Sequence, residues 1–166
     1  MLTIHTFCFN AFQENTFVLF NSEKEAIIVD PGCYLKHEQA QLANFISENN
    51  LTPKLLLNTH CHLDHVFGNN FVSETYGLTA LFHQKEQAVI DRLPEGGIRW
   101  GVPTEAYKGK VQYIQQDELI QFGNDVFKVL ETPGHSPGSV CFYHQAQDFL
   151  IGGDLIFKDG VGRTDL

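Results

Sequence analysis

Three histidines and one aspartate fall within six residues, at His60, His62, Asp64 and His65. From this chain's own composition, an H-x-H-x-D-H run arises by chance roughly once in a thousand such sequences. His60 and His62 sit two apart. In an extended segment at a strand end their rings can converge on one cation. Asp64 and His65 follow where a helix can begin, and a turn there aims them at a second cation beside the first. Imidazole and carboxylate are borderline-to-hard ligands, suited to zinc, iron or manganese. The plainer alternative is a polar helix start with Asp64 as its cap. Four such side chains rarely satisfy one another in a core without a metal, so the metal reading is preferred.

Two later segments extend the pattern. In Thr132-Pro133-Gly134-His135-Ser136-Pro137-Gly138-Ser139, two prolines and two glycines fix a rigid, irregular loop around His135. A lone turn histidine is usually a surface residue; beside the first cluster it becomes a candidate ligand. Gly152-Gly153-Asp154 follows a strand-like run, and paired glycines allow close backbone approach. Together these pieces give two sets. His60, His62 and His135 form one, Asp64 and His65 the other, with Asp154 placed to bridge them.

The elements that must hold these residues are a mixed α/β set. Strands are expected at 6–9, 15–20, 26–29, 54–58, 78–82, 111–114, 118–122, 126–130, 140–144 and 149–151. Asp30-Pro31-Gly32 marks a turn after the third. Apolar spacing predicts helices over 35–49, 65–76 and 84–93, with Pro53 closing off the first of these segments. Phe122-Gly123-Asn124-Asp125 reads as a hairpin turn. Pro94 to Gly109 reads as an irregular loop, either a lid or a solvated connection.

Composition excludes several function classes. The chain has 166 residues, 43% hydrophobic and 19% charged, which suits one globular domain over 1–166. Fourteen Phe and five Tyr point to an aromatic, β-rich core. The net charge of −9 gives no basic footprint for nucleic acid. Apolar runs are too short to cross a bilayer, so neither a nucleic acid nor a membrane is expected as partner. The first basic residue is Lys24, which leaves no positive region for a signal peptide. Cys8, Cys33, Cys61 and Cys141 then read as reduced thiols of a cytoplasmic protein.

This set of motifs resembles the metallo-β-lactamase superfamily, and within it the glyoxalase II-like (hydroxyacylglutathione hydrolase-like) small hydrolases. The matching pieces are Asn15-Thr16, Asp30-Pro31-Gly32, the His60 to His65 run, the Thr132 to Ser139 loop, Gly153-Asp154 and Gly162-Arg163-Thr164-Asp165-Leu166. The resemblance implies a four-layer α/β/β/α sandwich with metals at one edge. It implies that His60, His62 and His135 hold one metal and Asp64 and His65 a second, with Asp154 bridging. Asp30 and Asn15 would orient the ligand loops. The family continues beyond the Gly-Arg-Thr-Asp pattern, with further helices and a last histidine on the second metal. The expectation is therefore a domain incomplete at its C-terminal end, with the outer helices of the second half missing.

The activity implied is hydrolysis of a small thioester or ester by a metal-bound hydroxide shared between two divalent ions, zinc first and iron or manganese as alternatives. Asp64 would serve as ligand in preference to orienting the hydroxide. The substrate expected is a small anionic acyl compound, with Arg163 as its anion contact or, alternatively, paired with Asp165. Lys158 is a second choice for that contact. A histidine at 65 and an aspartate at 154 depart from the best-known zinc β-lactamases and argue against antibiotic hydrolysis. The alternatives are a persulfide dioxygenase with a single iron on His60, His135 and Asp154, and a non-catalytic metal-binding protein. His5, His37, His83 and His144 are expected outside the site, and the sequence leaves the oligomeric state open.

Overall fold

The computed structural model describes residues 1–165; Leu166, which closes the Gly162 to Leu166 motif, lies outside them. Six strands form the first sheet in chain order: β1 (Thr3–Phe9), β2 (Glu14–Phe20), β3 (Glu25–Val29), β4 (Thr52–Leu57), β5 (Ala80–His83) and β6 (Val111–Ile114). β1 to β3 pair antiparallel, and β3 to β6 run parallel. Parallel neighbours need crossovers. These are α1 (Lys36–Glu48), then α2 (Leu63–Val66) with α3 (Asn69–Tyr76), then α4 (Gln87–Ile90) with α5 (Leu93–Trp100).

The second sheet is antiparallel, with β7 (Leu119–Phe122), β8 (Asp125–Glu131), β9 (Val140–His144) and β10 (Phe149–Ile151) in the spatial order β10-β9-β8-β7. A small hairpin of β11 (Ile156–Phe157) and β12 (Gly160–Val161) follows.

Strand alternation sorts the core into two layers. Ile27, Val29 and Leu57 face Phe127, Val129 and Phe142 of the second sheet. Ala26, Ile28 and Leu56 face the helices, where they meet Leu42, Ile46, Val72 and Ile90. Burial on both faces explains why Ala26 to Val29 is apolar without interruption. Each fully buried aliphatic side chain contributes about 1.5–3 kcal/mol. The result is helices on sheet on sheet. Among the described residues no helix covers the outer face of the second sheet, where Leu119, Val126 and Leu150 are exposed. This is the sandwich expected from the sequence, without its second helical layer.

Several local expectations need correction. The segment from Pro94 is not wholly irregular: it continues α5, with Pro94 in the first turn, where a missing N–H costs nothing. Gly101, at φ +72°, ends that helix. The helix expected over 84–93 is a tight turn at Gln84–Glu86 followed by α4. The one expected over 65–76 breaks at Gly68, whose N–H donates to the Pro31 carbonyl at 2.7 Å. Pro53 lies inside β4, beside a register shift at Ala26/Ile27. The Gly123-Asn124 hairpin turn forms as expected.

Candidate metal centre

The cluster is assembled at the carboxyl ends of β3 and β4, where open α/β sheets build their sites. β4 runs into Asn58 and Thr59, and His60 follows. Thr59 is lashed on three sides. Its N–H and hydroxyl donate to Asp30 Oδ1 and Oδ2 at 2.7 and 2.5 Å. Its carbonyl accepts the Val140 N–H of β9 at 2.8 Å. His62 is the residue before α2, and Asp64 and His65 lie in its first turn. The helix-cap alternative for Asp64 is not what forms, since Asp64 sits inside the turn and the N-cap has no side-chain bond.

The structure brings His60, His62 and His135 together, with one ring nitrogen from each within 4.8 Å of the others. His62 Nδ1 lies 2.9 Å from His135 Nε2. For His135 and His60, a hydrogen bond at the far side of the ring fixes which nitrogen is free. His135 Nδ1 donates to the Arg163 carbonyl at 3.0 Å. His60 Nδ1 lies 3.1 Å from Thr59 Oγ1, whose own hydrogen goes to Asp30. His60 Nε2 is left buried without a hydrogen-bond partner among the described residues. An orphaned imidazole nitrogen beside two others is the donor set a divalent cation takes, so the residues present fit a metal.

The second set forms beside the first. His65 Nδ1 donates to Asp30 Oδ2 at 3.1 Å. Its Nε2 lies 3.3 Å from Asp154 Oδ1 and 3.8 Å from Asp64 Oδ2. The other oxygen of Asp154 lies 3.3 Å from His135 Nε2. One carboxylate therefore faces both sets. Gly153, at φ +52°, lets the chain approach Thr59 where a Cβ would collide with the threonine side chain.

Electrostatics separates the rings. Burial, then the neighbouring His135 and His65, lower His62 to about 4, against the pull of Asp154. Burial, then His65 and the other rings, hold His60 well below the usual histidine range. His65 goes the other way: burial opposes its charge, but bonds to Asp154 and Asp30 raise it well above that range. Burial raises the Asp64 carboxyl. For Asp154 burial pushes upward, yet His65 and the other rings hold it below its ordinary value.

Not every candidate falls at the cluster. Asn15 is exposed and makes no side-chain hydrogen bond among the described residues; its neighbour Thr16 does the orienting. Thr16 Oγ1 accepts the Gly32 N–H and donates to the Asp30 carbonyl, each at 2.8 Å. The Arg163 guanidinium is exposed and pairs with Asp165 at 2.9 Å, so the alternative reading of this residue is the one that forms. It is the Arg163 carbonyl that meets the cluster, by holding His135. His83 pairs with Glu131, His144 with Asp125, and His5 stacks on Phe45. Cys61, between His60 and His62, packs into the helix-side core.

Sequence reasoning missed Asn10, whose amide donates to the carbonyls of Gly32 and Asp64 at 2.9 and 3.1 Å. It also missed Glu14, buried 3.9 Å from His65 Nδ1 and with its carboxyl raised chiefly by burial.

Comparison with known proteins matches residues 9–166 to the family model described as the metallo-beta-lactamase superfamily. The chain is 34% identical over 157 residues to a protein of Haemophilus influenzae named hydroxyacylglutathione hydrolase GloC, covering 93% of this chain and 72% of that one. Among solved structures it is similar to BLEG-1, described as a B3 metallo-beta-lactamase, at a TM-score of 0.89 and 34% identity. That match covers 99% of this chain and 78% of BLEG-1. TTHA1623, described in a di-iron-bound form, matches at a TM-score of 0.85 and 29% identity, over 98% of this chain and 77% of that one.

Proposed function

Because the chain belongs to the metallo-β-lactamase superfamily, whose fold binds divalent metals, we propose that it is a binuclear hydrolase of small thioesters or esters, of the glyoxalase II kind. The observation that carries this reading is Asp154, with one oxygen 3.3 Å from His135 Nε2 and the other 3.3 Å from His65 Nε2. His60, His62 and His135 would hold one cation, and Asp64 and His65 the other, with Asp154 between them. Nitrogen and oxygen donors suit zinc first, with iron or manganese as alternatives. A divalent pair, when bound, supplies electrophilic activation of an acyl carbonyl and of water.

The chain's own residues supply the rest. Asp30 holds the proton on His65 Nδ1, and the Arg163 carbonyl holds that on His135 Nδ1, so both rings present Nε2 inward. Asp64 is assigned as ligand. A cleft of about 410 Å³ opens beside Asp64, His65 and Asp154, walled by Phe12, Phe17, Leu150, Ile156 and Phe157. Apolar walls suit an acyl chain. Lys158 also lines the cleft and is the cation proposed for an anionic acyl substrate, ahead of Arg163, which does not line it. A thioester fits because its leaving thiolate needs little protonation. The four cysteines are free thiols, in keeping with the cytoplasmic location proposed.

The test is release of free thiol from a hydroxyacyl-glutathione thioester by the zinc-loaded protein. Metal-dependent release supports the proposal; no release from any small thioester or ester overturns it. The likeness to BLEG-1, described as a B3 metallo-beta-lactamase, favours a second reading, β-lactam hydrolysis, against which His65 and Asp154 argue. Opening of a chromogenic cephalosporin without thioester turnover would establish it. Oxygen uptake with a glutathione persulfide would point instead to the single-iron dioxygenase. Metal binding with no turnover of any of these leaves the non-catalytic alternative.

A further inference from the structure

We infer that Glu86 is a positioning residue for the metal centre, whose buried carboxylate clamps the His60–His62 segment to the His135 loop. Glu86 is fully buried, at 0% exposure. Its Oε2 accepts the Cys61 N–H at 2.7 Å. Its Oε1 accepts the Ser136 hydroxyl and the Gly138 N–H, each at 2.6 Å. Cys61 lies between two of the histidines, and Ser136 directly follows the third. A carboxylate is an acceptor with room for all three donors, and hydrogen bonds to it are shorter and stronger than neutral ones.

The clamp sits where register matters. His62 and His135 present nitrogens 2.9 Å apart from loops that belong to different sheets. A small slip between those loops would separate the nitrogens. The His135 loop seats so closely on the Gln84–Glu86 turn that a Cβ on Gly138 would come within 3.0 Å of Glu86 Cγ and 2.8 Å of His83 Nδ1. The turn is itself held, since His83 Nδ1 accepts the Lys85 N–H at 3.2 Å and His83 Nε2 pairs with Glu131 at 3.2 Å. Glu86 thus carries the position of one ligand loop to the other without touching a metal ligand's side chain.

This inference rests on the metal-centre reading above and not on the choice of substrate. Glu86→Gln keeps the size of the side chain but turns an amide NH2 toward a donor whichever way it lies. Metal affinity, read by chelator competition, is expected to fall about ten- to a hundredfold, with a shifted visible spectrum of the cobalt-substituted protein. Leu42→Ala, in the core of α1, is the control: it should lower the melting temperature and leave affinity and spectrum alone. Should Glu86→Gln fail to fold, Ser136→Ala removes one of the three donors and decides, with an expected loss of about threefold or more.

Affinity and spectrum unchanged in the deciding variant, with wild type binding metal, would overturn the clamp alone. A wild-type chain that takes up no metal would overturn the metal centre and the clamp together.

Discussion

Asp30 Oδ2 lies 3.1 Å from His65 Nδ1, and both side chains are almost wholly buried. The same carboxylate takes the N–H and hydroxyl of Thr59, so one side chain orients the His65 ring and anchors the segment that leads into His60 and His62. Asp30→Ala would leave three buried donors without an acceptor. Breaking a buried pair in this way costs about 3–5 kcal/mol. Urea denaturation of the metal-free protein should show that loss. Asp30→Asn keeps an oxygen for Thr59 and should lose less stability.

His65 is held protonated between Asp30 and Asp154, with its titration raised well above 6.5. A group raised in the folded state contributes stability that is fully present below its unfolded value. That contribution is lost as pH rises through the folded value. At pH 7 a cation taking the place at Nε2 must displace this proton. Calorimetry in buffers of different ionisation enthalpy should record about one proton released on loading the second metal. His65→Asn should abolish that release.

His62 is shifted the opposite way, to about 4 from 6.5. A lowered histidine contributes stability above its unfolded value, and this is lost as pH falls through the folded one. Between about pH 6.5 and 4 the metal-free wild type should lose stability more steeply than His62→Asn. The difference amounts to about 2–3 kcal/mol across the window. Parallel pH profiles of the two proteins would contradict it.

Gly153 takes a left-handed backbone, and a Cβ there would collide with the Thr59 side chain. Left-handed geometry alone costs an L-residue about 1–2 kcal/mol. Gly153→Ala should therefore lower thermal stability and, by moving Asp154, weaken metal uptake. A variant with wild-type melting and metal affinity would show that this approach is not required.

The contiguous candidates were legible as a cluster because His60 to His65 leave a single strand end, where short spacing keeps them together. His135 and Asp154 were legible only beside that run, since each reads alone as an ordinary turn residue. Asn15 was misassigned by one residue: strand pleating sends neighbours to opposite faces, and the inward one is Thr16. Glu86 was illegible because its partners are two backbone N–H groups and one hydroxyl, met only when distant loops close. From sequence Gln84-Lys85-Glu86 reads only as the start of the helix expected over 84–93. The segment from Pro94 to Gly109 reads from sequence as an irregular loop, yet the first helical turn accepts Pro94 and its opening residues form α5.

The central claim is that Asp154 joins two cation sites. Native mass spectrometry of the purified wild type and of Asp154→Ala, each after exposure to excess zinc and buffer exchange, tests it directly. Two metal ions per wild-type chain and at most one per variant chain is the expected result. No bound metal in the wild type, or an equal count in both proteins, would contradict it.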